Sequence, residues 1–78
     1  RQMCIRDRMM MGLRMVRGVD ERRFIRDFGC APEDVWRQSL PRLMREGMIA
    51  RADGRLCLTA RGMQVMNAVL VEMMEEEG

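Results

Sequence analysis

The chain contains no histidine, no tyrosine and no lysine. Histidine is the side chain most often used as acid, base or metal ligand near neutral pH, so its absence removes the commonest routes to catalysis. No glycine-rich loop of the phosphate-cradling kind is present. The carboxylates fall mostly on helical faces or at the end of the chain, as solvated surface does. With this inventory the chain is not expected to catalyse a reaction by itself. The lack of lysine carries less meaning: all 14 basic residues are arginine, as a GC-rich genome produces, and no function is read from it.

Cysteine is scarce too. Cys4, Cys30 and Cys57 are odd in number and stand more than twenty residues apart, which gives neither a disulfide framework nor a CxxC-type metal site. Each reads as a small core residue rather than a nucleophile. A reducing, cytoplasmic setting is expected. No apolar run reaches the roughly 18 residues of a membrane span, and no charged-then-apolar leader is present. The chain reads as soluble, with no membrane partner.

With two prolines and no Pro/Gly/Ser-rich tract, nothing divides the 78 residues into separate units. At 47% apolar and 33% charged residues the composition is globular. One modest core is expected, because a chain of this length buries only about 60 to 65 per cent of its unfolded surface. The net charge of +2 is unevenly spread, since every arginine precedes Gly62 and the residues after it carry only acids. Such asymmetry can mark a polyanion-binding face, but a solvated helical surface followed by an acidic tail accounts for it equally. The chain starts at Arg1 and not at methionine, which leads to the expectation of a truncated larger protein.

Ile5, Met9, Leu13 and Val16 recur at helical spacing and predict a helix ending near Arg17, with Gly18 as its stop. Asp20 then reads as an N-cap, and Val19 with Phe24 as a hydrophobic staple. The second helix is predicted over Glu21 to Phe28, buried through Phe24, Ile25 and Phe28 and closed by Gly29. Pro32 opens a third helical region, with Trp36, Leu40, Leu43 and Met44 as its apolar stripe and Gly47 as its end. Pro41 inside it would cost about 3 kcal/mol in a continuous helix, so a kink is expected near Ser39 and Leu40. Met48 to Ala52 and Arg55 to Leu58 flank Asp53–Gly54, the signature of a type I′ hairpin. Thr59 caps a final helix carrying Met63, Met66, Val69, Leu70, Met73 and Met74. Its last turn, Glu75 to Glu77, places negative charge at the negative end of the helix dipole and is expected to fray.

Helices, then a two-stranded hairpin, then a C-terminal helix give a mainly α, winged-helix-like fold. A winged helix raises DNA binding as an alternative, that of a free-standing regulator module. Against it, the would-be recognition segment carries Arg37, Arg42 and Arg45 against Glu33, Asp34 and Glu46, where phosphate contact needs a positive surplus. Nucleic acid is therefore not the expected partner, although Arg51, Arg55 and Arg61 surround the wing. The methionines sit largely on apolar stripes and read as core; a haem ligand or an adaptable contact surface is the other reading of Met9 to Met11.

The string MMMGLRMVRGVDERRF from Met9 to Phe24, the Phe28–Gly29 pair, LMREGMI, a hairpin, and LTARG from Leu58 to Gly62 together resemble a known family. It is the C-terminal domain of the radical-SAM oxygen-independent coproporphyrinogen III oxidases and related haem chaperones. The GLR and GVD wording is more similar to the chaperone branch. The resemblance implies a parent with a [4Fe–4S] cluster held by a CxxxCxxC motif, S-adenosylmethionine and haem, all in an upstream barrel that would be this domain's partner. That motif is absent here, so no cofactor is assigned to the chain and no catalytic, cofactor-binding or metal residue is carried over. The residues that transfer are structural. Gly12 and Leu13 give close packing, Arg14 faces the barrel, Gly18, Gly29 and Gly47 stop helices, Asp20 and Thr59 cap them, and Gly62 completes the last motif. The family pattern expects an acidic entry where RQMCIRDR stands. Residues 1–8 are therefore expected to be non-native or a remnant of a lost linker, and residues 9–78 a single C-terminal accessory domain.

Overall fold

A computed structural model describes residues 4–77; part of the expectation for residues 1–8 thus concerns positions outside the described residues. The first helix, α1, spans Ile5–Leu13 and starts at Cys4, whose sulfur accepts a hydrogen bond from the Asp7 amide at 3.5 Å. Met9, Met10 and Leu13 face the core, and Ile5 packs against it.

The helix does not continue to Arg17. The Met15 amide donates to the Gly12 carbonyl and the Gly18 amide to the Met15 carbonyl, which turns the chain and leaves Val16 86% exposed instead of buried. The turn serves a strand, β1 (Val19–Asp20), that pairs antiparallel with a later strand through Val19 and Leu56. Gly18, at φ +75°, lies so close to that strand that a Cβ would sit 2.2 Å from the Leu56 carbonyl oxygen. Sheet pairing overrides the local helical pattern here.

Helix α2 (Glu21–Phe28) forms over the predicted span. Asp20 Oδ1 accepts the Arg23 amide at 3.1 Å, and Gly29 closes the helix in the left-handed region. Phe24 is fully buried, with its ring centroid 4.9 Å from Phe28 and 6.3 Å from Trp36. Ile25 is not part of the buried side. One helical step from Phe24 turns it toward solvent, and it is 46% exposed.

The third helical region is two helices, α3 (Pro32–Val35) and α4 (Ser39–Arg45). The break falls at residues 36–38, before the expected position at Ser39 and Leu40. Pro41 then occupies the third position of α4. There, backbone N–H groups have no partner within the helix, so the missing donor costs no bond. After α4 the Gly47 amide bonds to the Met44 carbonyl and the Met48 amide to the Leu43 carbonyl, the paired closure of a glycine-terminated helix.

The hairpin joins β2 (Ile49–Ala52) to β3 (Arg55–Leu58), with Ile49 opposite Leu58 and Ala52 opposite Arg55. Asp53 and Gly54 both have positive φ, 53° and 73°, as a type I′ turn requires. The sheet is three-stranded, in the order β1-β3-β2, where the sequence had suggested two strands. The fold is mainly helical with a small antiparallel sheet, compatible with a winged-helix-like arrangement.

The final helix is also divided, into α5 (Ala60–Gln64) and α6 (Met66–Glu77). α5 lies beside β3 while α6 packs on α4 and α1, and the break at Val65 lets one segment serve both. Thr59 Oγ1 donates to the Gly47 carbonyl at 2.6 Å and accepts from the Gly62 amide at 3.0 Å. Gly62 presses on the sheet: a Cβ there would meet the Met48 carbonyl oxygen at 2.1 Å. Val69, Leu70 and Met73 complete the core.

The acidic last turn is helical to Glu77 and is engaged by other elements. Glu76 caps a different helix, its two carboxylate oxygens accepting the Gln38 and Ser39 amides, each at 2.8 Å, at the start of α4. The Ser39 hydroxyl beside it and these two amides hold the Glu76 carboxyl below the ordinary glutamate range. Glu72 pairs with Arg42 of α4, and the buried Trp36 indole N–H donates to the Met73 carbonyl at 3.0 Å. The dipole argument concerned α6 alone, whereas the carboxylate sits at the positive end of a second helix.

Two outcomes are expected. Gly62→Ala should lower stability by about 1–3 kcal/mol, since the methyl group forces the strand or helix aside; an unchanged urea midpoint would remove the close-approach argument. Glu76→Ala should cost about 1 kcal/mol at neutral pH, the worth of an N-cap. Because folding depresses this carboxyl's pKa, its contribution is complete above about 4.5, its ordinary value, and is lost as pH falls through the folded value. The gap between wild type and Glu76→Ala in denaturant titrations should therefore close on acidification below that point. A gap that stays constant into strong acid would count against the cap.

Candidate functional site

The residues singled out in the sequence fall into two groups and one outlier. Gly12, Leu13, Arg14, Gly18 and Asp20 surround the turn between α1 and β1. Leu13 is buried, Arg14 is exposed just past the end of α1, and a Cβ on Gly12 would lie 2.6 Å from Val19 Cγ2. Gly47, Thr59 and Gly62 meet where α4, the sheet and α5 join. Gly29 stands apart, with open space where a side chain would be.

The cysteines do not fit an iron–sulfur cluster. Cys4 is exposed at the start of α1, and Cys57 Sγ is directed at the Arg17 carbonyl at 3.4 Å. Among the described residues no three of His, Cys, Asp and Glu are grouped so that they could hold a metal ion. None of the described helices is long and apolar enough to cross a membrane.

The wing is electrostatically occupied. Arg51 on β2 makes a bidentate contact with Glu21, at 2.7 and 2.9 Å, and a further pair with Glu33. These bonds, Glu21 first, raise the Arg51 pKa further above its ordinary value. Arg55 lies 3.7 Å from Asp20, and Arg42 is held by Glu72. Two of the three wing arginines that had kept a DNA-binding reading open, Arg51 and Arg55, are thus matched by carboxylates, as is Arg42 of the would-be recognition segment.

Two surface features remain. Met11, Met15 and Val16 are exposed large apolar residues, at 56%, 62% and 86%, close together in sequence at the end of α1 and in the turn. Met9 and Met10, by contrast, are core residues, so neither is free to serve as a haem ligand or a contact surface. Beside the turn lies a cleft walled by Arg8, Arg17, Arg23 and Arg55. Sequence reasoning missed it because these arginines belong to different elements, gathered by the unforeseen pairing of β1 with β3. No periodicity links them.

A family model described as the HemN C-terminal domain matches residues 4–65. The chain belongs to this family. The match runs from the N-cap of α1 to the break before α6, so the HemN C-terminal domain pattern takes in the winged-helix elements and leaves α6 outside it. It also includes Cys4 to Arg8, where Ile5 packs on the core and Arg8 pairs with Asp27 at 2.9 Å. The family is that of coproporphyrinogen oxidase-like proteins of porphyrin metabolism. Comparison with curated proteins and with solved structures finds no match.

If Arg51 ties the wing to α2 and α3, Arg51→Gln should cost about 0.5–1 kcal/mol in low salt, the range of exposed networked pairs. Most of that loss should vanish in 1 M salt, where screening has already weakened the pairs. Equal losses at both salt concentrations would show that the side chain acts by packing instead.

Proposed function

We propose that this domain is a non-catalytic cover that docks on the upstream radical-SAM barrel of a haem-chaperone-type, coproporphyrinogen oxidase-like protein in the cytoplasm. The family match carries the reading. Supporting it, the GLR and GVD wording lies where the chain leaves α1 and enters β1, and the apolar side chains Met11, Met15 and Val16 project from that same stretch. Neighbouring exposed apolar side chains of this kind mark a contact surface, and Arg14 and Arg17 beside them supply a polar rim. In the parent, the cluster, S-adenosylmethionine and haem belong to the barrel. The role of the present residues is to present an apolar edge to it.

The reading is tested by mixing the 78-residue chain with the separately expressed barrel of its parent and measuring association by calorimetry. Replacing Met15 and Val16 together by Asp should weaken association at least tenfold while leaving the denaturation midpoint of the isolated domain within about 0.5 kcal/mol, as exposed substitutions do. Absence of association, or association indifferent to both substitutions, would defeat the docking reading. Salt-dependent binding of duplex DNA by the isolated domain would favour a regulator module in its place.

A further inference from the structure

The last two helices are divided at a single residue. Val65, between Gln64 of α5 and Met66 of α6, stands at φ −123°, ψ 34°, where a helix needs about −63° and −42°. Its amide turns back to the Gly62 carbonyl at 3.2 Å, while the Val69 amide already bonds to the Val65 carbonyl at 3.1 Å. Nothing in the local sequence demands this bend. Residues 63–77 contain no glycine and no proline, and the methionine, glutamine, alanine, leucine and glutamate among them are good helix formers. The periodicity of the segment predicts one uninterrupted helix, so the bend is imposed by what α6 packs against. Rotating the two dihedrals of Val65 would fuse residues 60–77 into one helix about 27 Å long.

Straightening this hinge would carry α6 away from its own core and uncover two complementary surfaces. One is the α6 face of Val69, Leu70 and Met73, each at most 2% exposed in the folded chain; the other holds Trp36, wholly buried, and the side of α4 that α6 covers. Apolar surfaces of this kind are driven out of water. The polar contacts across the seam are specific as well. The Trp36 indole N–H donates to the Met73 carbonyl, the Gln38 and Ser39 amides to the Glu76 carboxylate, and Arg42 pairs with Glu72. All of them join α6 to residues 36–42, and none depends on the path through Val65. An α6 from another copy meets them equally well.

We infer that α6 exchanges between two copies of this chain, with Val65 as the hinge and the α6 of each copy seated on α3 and α4 of the other. A one-residue hinge that must bend for the monomer to close, joined to an element whose contacts can all be made in trans, favours such swapping. The closed and exchanged forms share the same seams and differ at the hinge, bent in one and helical in the other. Concentration therefore decides between them. The inference goes beyond the docking reading, since its partner is a second copy and it uses none of the residues of the apolar edge.

The test makes α6 recognise only the other chain. Arg42→Glu alone sets two carboxylates face to face within the chain, and Glu72→Arg alone sets two guanidinium groups face to face. When the two variants are combined, a swapped heterodimer restores an attractive pair at both seams. Equal amounts of the two 78-residue variants are unfolded together in urea, refolded at high concentration and weighed by native mass spectrometry. Heterodimers should exceed either homodimer at least tenfold. A control mixture of Arg22→Glu with Glu46→Arg, which moves the same charges at exposed positions outside α6, should show no such excess. Arg42→Glu/Glu72→Arg in one chain, where the pair is intact in either form, should keep the wild-type circular dichroism spectrum and the wild-type proportion of dimer. At the hinge, Val65→Ala should raise the dimer association constant about fivefold, because alanine prefers the helix in both copies, and Val65→Gly should lower it. Heterodimers no more abundant than in the control mixture, or dimerisation indifferent to both hinge substitutions, would overturn the inference. Either result would leave barrel association, and with it the docking reading, untouched.

Discussion

Where β3 passes into α5, one hydroxyl and one missing side chain hold three parts of the domain together. Thr59 Oγ1 bonds to the Gly47 carbonyl at the end of α4 and accepts the Gly62 amide in α5. Gly62 in turn lies against the Met48 carbonyl at the entrance to β2. Polar backbone groups released where a helix ends must find partners or meet water, and here a single threonine serves both a helix that stops and one that starts. The hairpin leaves this junction and returns to it, so the geometry of the wing is set there before its own ladder contributes. The LTARG string is the sequence trace of this junction. Its threonine is placed by hydrogen bonding and its glycine by contact distance.

A second set of contacts fastens the C-terminal helix. α6 meets α3 and α4 through a buried indole N–H on the Met73 carbonyl, an ion pair between Arg42 and Glu72, and the Glu76 carboxylate on the opening amides of α4. The break at residues 36–38 and the acidic end of α6 thus complete one another: unpaired donors on one side meet spare acceptors on the other. In a chain of this size, with one small core, such reciprocal capping contributes to stability on a scale comparable with a buried methyl group or two.

Local chemistry was legible in the sequence. Asp20, Gly29 and Asp53–Gly54 each act within three or four residues of themselves, as does Thr59 where it caps Gly62, and α2, the hairpin turn and the start of α5 follow from them directly. Contacts made at long range were not. Strand β1 has two residues, too few for an alternating pattern, and exists because Leu56 and Arg55 are there to pair with it. Once it forms, α1 has to stop at Leu13 and Val16 is left in solvent. Pro41 announced a break but not its position, since a proline tolerates the first turn of a helix as readily as it disrupts an interior. The structural residues around the α1–β1 turn could be named from their types. The arginine cleft beside them could not, because its members share no element.

The lone tryptophan has a practical corollary. Trp36 is wholly buried and its N–H rests on a carbonyl of the last helix, in the bend that separates α3 from α4. Its emission is therefore an intrinsic gauge of one seam of the molecule: lifting α6 would wet the indole and redden the spectrum even while the sheet kept its ladder. Optical and amide-exchange measurements on this domain would then report different events, the first the departure of a single helix, the second the dissolution of the whole.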